Sequence, residues 1–163
     1  VAWARAIERK HGPSTLIFSR QNLPFQKRDV DTIKLIDKGG YILSEAAGSQ
    51  PQAVIIATGS EVGLAIMAQK ALADTGVHVR VVSMPCTSVF DRQDIDYKNN
   101  VLPKGIVRVA VEAGVTDYWR KYVGLEGAVV GIDTFGESAP AGELFKHFGF
   151  TVENVVKAVN SVI

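Results

Sequence analysis

The sequence predicts an α/β fold, a mainly parallel sheet covered on both faces by helices. Two features of its 163 residues carry that expectation. Five short runs rich in Val, Ile and Ala recur at 41–46, 53–57, 79–84, 107–112 and 128–132, with helical segments between several of them. The runs are close to continuously apolar instead of alternating, the pattern of strands buried on both faces.

Taken in order, residues 1–11 read as an amphipathic helix with Trp3, Ala6, Ile7 and Lys10 on one face and Arg5, Glu8 and Arg9 turned away. No Ser, Thr, Asp or Asn precedes it as a cap, and Gly12-Pro13 stops it. Ser14-Thr15-Leu16-Ile17-Phe18-Ser19 reads as a short strand ending in the polar group Arg20-Gln21-Asn22. A parallel strand needs neighbours, and none is evident downstream. The uncapped helix and the unpaired strand lead to the expectation of a piece of a larger enzyme, entered mid-element and without a complete active site.

From Leu23 to Gly40 the chain is polar and broken by Pro24 and Gly39-Gly40, with Val30, Ile33, Leu35 and Ile36 to anchor it, which reads as an interdomain linker. Residues 1–22, 23–40 and 41–163 are thus expected to be the end of one domain, a linker and a second domain. In the second, Gly48-Ser49-Gln50-Pro51 separates the first two strands. Helix 60–75 follows with Val62, Ala65, Ile66, Ala68, Leu72 and Ala73 as its buried stripe, ending at Gly76. Pro85 stops the third strand, an irregular stretch with Leu102-Pro103 leads to the fourth, and helices are expected at 116–123, 140–147 and 152–162.

Composition narrows the function classes. Hydrophobic residues at 47% and charged ones at 21% are those of a chain that builds a core. Eighteen Lys and Arg against 17 Asp and Glu leave no field to hold nucleic acid or an anionic membrane. The single cysteine, Cys86, excludes an intrachain disulfide and fits a reducing compartment, so a cytoplasmic location is expected. Ala53-Val54-Ile55-Ile56-Ala57 is far short of the roughly 18 apolar residues of a membrane span.

Four places near strand ends have chemical potential. Thr58-Gly59-Ser60-Glu61 has the form of a capping box, with Thr58 as cap, and its N–H groups offer an anion site. Gly59 and Gly63 alone make no dinucleotide fingerprint, and no Gly-Lys-Ser/Thr follows for a P-loop. Cys86 lacks a base in a supporting pattern, since His11, His78 and His147 fall in different elements, and it is expected to be buried. Glu112, Asp117, Asp133 and Glu137 place carboxylates at strand ends, with capping and surface roles the commoner fate. Arg20, flanked by Ser19, Gln21 and Asn22, makes a donor-rich corner suited to gripping a phosphate or carboxylate with two parallel bonds.

An ordered set of motifs now stands out: Ser19-Arg20-Gln21-Asn22-Leu23, Ala57-Thr58-Gly59-Ser60-Glu61-Val62, Ser83-Met84-Pro85, Val111-Glu112-Ala113-Gly114, Asp117-Tyr118-Trp119 with Tyr122-Val123-Gly124, Thr134-Phe135-Gly136-Glu137-Ser138-Ala139-Pro140, and Gly149-Phe150-Thr151. The set, running over essentially the whole chain, resembles bacterial-type transketolase. The resemblance implies that residues 1–22 are the tail of the family's middle, pyrimidine-binding domain and residues 41–163 its carboxy-terminal domain. It further implies a three-layer α/β/α arrangement with a five-stranded mixed sheet whose first strand is antiparallel to the rest.

The intact family transfers a two-carbon ketol unit from a ketose phosphate to an aldose phosphate in the pentose phosphate pathway. It does so with thiamine diphosphate and a divalent metal, Mg or Ca. The family's activating Glu, Gly-Asp-Gly metal motif and substrate histidines lie upstream and have no counterpart here. Only Arg20 carries over, as a contact to substrate phosphate; no catalytic, cofactor or metal residue does. The fragment itself is expected to be inactive and free of cofactor, with a structural role in a homodimer. Two rival readings are a stand-alone or regulatory module binding a small anion at Thr58-Gly59-Ser60, and an architectural domain of a related thiamine enzyme such as a deoxyxylulose-phosphate synthase or ketoacid dehydrogenase subunit.

Overall fold

A computed structural model of the chain describes residues 1–48 and 50–163. Its helices are α1 (Ala2–Glu8), α2 (Val30–Leu35), α3 (Glu61–Ala73), α4 (Thr87–Asp91), α5 (Ile95–Val101), α6 (Arg120–Val123), α7 (Ala141–His147) and α8 (Val152–Asn160). The strands are β1 (Tyr41–Ser44), β2 (Ala53–Ala57), β3 (Val79–Ser83), β4 (Val107–Val111) and β5 (Ala128–Val130). Short 3-10 turns cover Ile36–Lys38 and Asp117–Trp119.

The strands form one sheet in the order β1-β3-β2-β4-β5. β2 sits at its centre, with Ile55 opposite Val81 of β3 on one side and opposite Val109 of β4 on the other, both pairings parallel. β1 runs antiparallel to β3 and is irregular between Ile42 and Ser44. The predicted class and its antiparallel first strand are therefore what the structure shows.

Pleating divides the apolar runs between two cores, because successive side chains point to opposite faces. Ala53, Ile55 and Ala57 of β2 join Val79, Val81, Val109 and Val111 beneath Leu64, Ala68 and Leu72 of α3 and Val155 and Val159 of α8. Val54, Ile56, Val82 and Ala110 face Phe90 of α4, Val101 of α5 and Trp119, Tyr122 and Val123 around α6. A helical layer on each face makes three layers. Ile55 and Ile56 are both fully buried, each contributing roughly 1.5–3 kcal/mol to the two cores.

Several local expectations are corrected. Residues 14–19 form no strand among the described residues, no ladder pairs with them, and Ile17 is 90% exposed. The stretch read as irregular between β3 and β4 contains α4 and α5, and Asp94 caps the latter by accepting from Tyr97 N at 2.7 Å. The stretch 23–40 holds α2, with Val30, Ile33 and Leu35 on its exposed side, so they do not anchor it. Its contacts come instead from Arg28, which donates to Tyr41 Oη at 2.8 Å, and from half-buried Ile36. In α3, Ala73 is exposed and Leu64 takes its place in the core. The turn expected at Gly48–Pro51 includes Ser49, which lies outside the described residues.

Candidate functional site

The chain leaves β2 through α3 for β3 on one side, then returns through α4 and α5 to β4 on the other. That reversal opens a crevice at the carboxyl ends of β2 and β4, where ligands bind in open α/β sheets. A cavity of about 410 Å³ occupies it, bounded by Thr58, Cys86, Thr87, Glu112, Tyr118 and Trp119, among others.

Glu112 lines it, and Glu61, at the start of α3, lies close enough for its charge to act on Glu112. Glu61 is only 4% exposed, and burial raises its pKa. The N–H groups of Glu61 and Ala113 and the Ser60 hydroxyl, 3.1 Å from both carboxylate oxygens, offset part of that effect. Burial, followed by the charge of Glu61, pushes the carboxyl of Glu112 up to about 7. Glu112 Oε2 is buried and accepts no hydrogen bond. A proton on Glu112 next to the Glu61 carboxylate would avoid two like charges out of water.

This geometry overturns the capping box. Thr58 contributes its carbonyl, accepting from Glu61 N at 3.2 Å, and Ser60 stands at the cap position without a side-chain bond to the helix. Glu61 turns inward, where its own N–H, that of Ala113 and the Ser60 hydroxyl serve its carboxylate, so a second anion at the helix start would meet the charge of Glu61.

Cys86 is exposed at the cavity wall, contrary to the expected burial, because it opens the turn into α4 with extended backbone. Its sulfur lies 3.5 Å from Ser88 Oγ. Thr87 Oγ1 and Tyr118 Oη are 2.6 Å apart. Asp133 accepts from Thr116 N at 2.9 Å and Thr116 Oγ1 at 2.8 Å, a structural clasp, while Asp117 and Glu137 are exposed. His78 and His147 lie away from the cavity lining, on the β3 approach and α7. No group of three or more His, Cys, Asp or Glu among the described residues converges as a metal set.

Arg20 is exposed on the amino-terminal strip, and among the described residues its guanidinium has no hydrogen-bond partner. Its neighbour Ser19 has its Oγ 3.9 Å from the point a Cβ on Gly59, just before α3, would occupy. Sequence reasoning missed the Glu61–Glu112 pair and two guanidinium clamps, buried Arg80 and half-buried Arg108. Arg108 Nη1 donates to the carbonyl of Tyr122 at 2.9 Å and Nη2 to that of Leu102 at 3.0 Å. Detecting the pair required the strand order, which puts Ala57 opposite Val111 and so brings the two following loops together.

The geometry defines an α/β domain with a crevice at the carboxyl ends of its central strands and an amino-terminal strip that carries an unengaged arginine. The Transketolase-like TK C-terminal domain family matches residues 39–151. Transketolase 1 of Vibrio cholerae is 57% identical over 164 residues, covering all of this chain and 24% of that protein. Transketolase 1 of Escherichia coli is 56% identical, covering all of this chain and 25% of that protein. The solved transketolase of Leishmania mexicana superposes with a TM-score of 0.90 at 45% identity, over 99% of this chain and 23% of that one. That of Pichia stipitis in complex with sedoheptulose-7-phosphate has a TM-score of 0.88 at 40% identity, with the same coverage. The chain belongs to the transketolase family and corresponds to its carboxy-terminal part. It spans about a quarter of the length of the curated relatives it matches.

Proposed function

We propose that this chain works as the carboxy-terminal part of a thiamine-diphosphate-dependent transketolase, with Arg20 gripping the phosphate of a sugar-phosphate substrate. The intact enzyme would move a two-carbon ketol unit from a ketose phosphate to an aldose phosphate in the pentose phosphate pathway, as a cytoplasmic homodimer. In this reading residues 1–22 close the middle domain, 23–40 link, and 41–163 support the dimer. The carrying observation is the Ser19-Arg20-Gln21-Asn22 corner, exposed with its guanidinium unengaged, in a chain alike from end to end with known transketolases.

Thiamine diphosphate would supply the electron sink for the carbanion. No group of three or more His, Cys, Asp or Glu among the described residues converges to hold the divalent metal, and the carboxyl groups of Glu61 and Glu112 would repel the diphosphate. Holding the cofactor falls to the part of the protein outside this chain, and the chain alone would be inactive.

Arg20→Ala in the intact enzyme tests the reading. The guanidinium offers two charge-assisted bonds of about 1.5–3 kcal/mol each, so KM for a phosphorylated donor should rise tenfold or more while hydroxypyruvate, which has no phosphate, is little affected. Arg20→Lys should also weaken phosphorylated donors, since the planar fork is lost. Equal losses on both donors would remove Arg20 from the phosphate site.

A further inference from the structure

The crevice between the carboxyl ends of β2 and β4 holds a carboxyl group that nothing in the described chain serves. Glu112 lines the cavity, and its Oε2 is buried without a hydrogen-bond partner. Burial and the charge of Glu61 act on that carboxyl, and neither a donor nor a cation among the described residues offsets them. Other carboxylates of the domain are matched: Glu45 faces Arg80, Asp91 faces Lys121 and the Tyr122 hydroxyl, and Glu61 takes the Ser60 hydroxyl. A buried polar atom left unpaired in a native fold calls for a reason, and a ligand that brings the missing donor is one.

The lining narrows what such a ligand is. It contains no Lys, Arg or His, so a phosphate or carboxylate would meet Glu112 with no counter-charge. Glu61, 4% exposed at the start of α3, adds a second carboxyl nearby. Tyr118 and Trp119 stand edge to face on the wall with ring centroids 5.9 Å apart, and aromatic faces attract cations. Pro85 and Val115 supply apolar surface. The volume of about 410 Å³ falls within the roughly 300–1,000 Å³ of small-molecule sites, at the place in the sheet where open α/β folds bind ligands. Exposed Cys86 and Tyr118, the latter 53% exposed, leave the wall open to molecules from solution.

We propose that this crevice is a binding site for a small organic cation, whose ammonium or guanidinium group donates to the Glu112 carboxyl while its apolar part rests against Tyr118 and Pro85. The site does not depend on the assignment of Arg20 and gives the carboxy-terminal domain a ligand of its own, opposite in charge to a sugar phosphate.

Benzylamine, benzyl alcohol and benzoate share one body and differ in charge, which makes them the probes. At pH 8 the Glu112 carboxyl, pushed up to about 7, is ionised. Calorimetry with the chain reads affinity. Alkylation by iodoacetamide reads the place, because Cys86 is the one thiol of the chain and stands on the cavity wall. Benzylamine should bind at least about tenfold more tightly than benzyl alcohol, leave benzoate without measurable binding, and at saturation slow alkylation by about threefold or more. Glu112→Gln, which retains the shape of the side chain, should weaken benzylamine by at least about tenfold. Absence of benzylamine binding, equal binding of the three probes, binding that leaves Cys86 unprotected, or full affinity in Glu112→Gln each overturns the site. The same alkylation is then followed in intact enzyme made by joining this chain to the upstream three quarters of the Escherichia coli relative, of which it covers the remaining 25%. Protection of Cys86 by benzylamine there supports a ligand site. A thiol already shielded without the amine would mean that another part of the enzyme fills the crevice, and the proposal of a free ligand fails.

Discussion

Arg80 and Glu45 meet in a two-point ion pair, Nε to Oε1 at 2.8 Å and Nη2 to Oε2 at 2.9 Å. The remaining nitrogen, Nη1, donates to the carbonyls of Asn100 and Val101 at the end of α5. One guanidinium, 9% exposed in the middle of β3, thus holds the exit of β1 and the last turn of α5 together. The two partners should not be worth the same. Glu45 is 52% exposed in its side chain, so Glu45→Gln should cost about 1 kcal/mol in urea unfolding. Arg80→Met strands two carbonyls and the Glu45 carboxylate, and should cost about 2–3 kcal/mol. Losses below about 0.5 kcal/mol for both variants would show that the clamp contributes no stability.

Glu112 predicts a pH dependence of definite sign. Its folded-state pKa of about 7 lies above the ordinary 4.5, so between those values the folded chain binds more protons than the unfolded one. Stability then falls as pH rises through the window, and the cost of the buried charge is complete above it. Glu112→Gln removes that cost while retaining the shape of the side chain. The variant should melt several degrees above the parent at pH 8, at about 2–4 °C per kcal/mol for a chain of this size, and show little gain at pH 5. A gain independent of pH would mean that Glu112 is already ionised across the range.

The sheet was legible in the residues because strands buried on both faces announce themselves as unbroken apolar runs, and β2 is read to the residue as Ala53–Ala57. Helices α4 and α5 were not. Their seven residues or fewer carry no two-turn stripe, and Asp94 as a cap was the one signal present. Thr58 misled for another reason. A Glu three residues after a Thr has the form of a capping box, but the crevice between β2 and β4 turns Glu61 inward, a tertiary effect that no local pattern contains. The Glu61–Glu112 pair was hidden for the same cause: 51 positions of sequence separate carboxylates that the strand order brings together. Arg20 stood out by its setting between Ser19 and Gln21-Asn22.

Gly39 and Gly76 separate conformational strain from crowding. Both have positive φ, +81° and +82°. A Cβ on Gly76 meets nothing within 4 Å, whereas one on Gly39 would run into the carbonyl oxygen of Cys86, the amide of Phe90 and the side chain of Val89. Gly76→Ala should therefore cost only the left-handed penalty, about 1–2 kcal/mol. Gly39→Ala must also push α4 away from the turn before β1, breaking the bond from Cys86 N to Gly39 O, and should cost at least about 3 kcal/mol. Equal losses in chemical denaturation would mean that α4 yields freely and does not hold the start of β1.

Cys86 offers a direct check on the crevice itself. The chain has one cysteine, so any thiol signal reports this site alone. The extended backbone at Cys86, before the five-residue helix α4, leaves the side chain exposed on the cavity wall instead of in the core below Met84 and Phe90, which are 1% and 2% exposed. Ellman's reagent should therefore titrate one thiol in the native chain without denaturant, at a rate within about an order of magnitude of that in urea. Protection that disappears only on unfolding would place the sulfur in the core, close the crevice wall at Cys86, and restore the burial that the sequence suggested. Bulk added at the same position gives an independent answer. Cys86→Phe should leave the unfolding midpoint within about 0.5 kcal/mol if the site is an open wall, and cost about 1–3 kcal/mol if it is a packed interior.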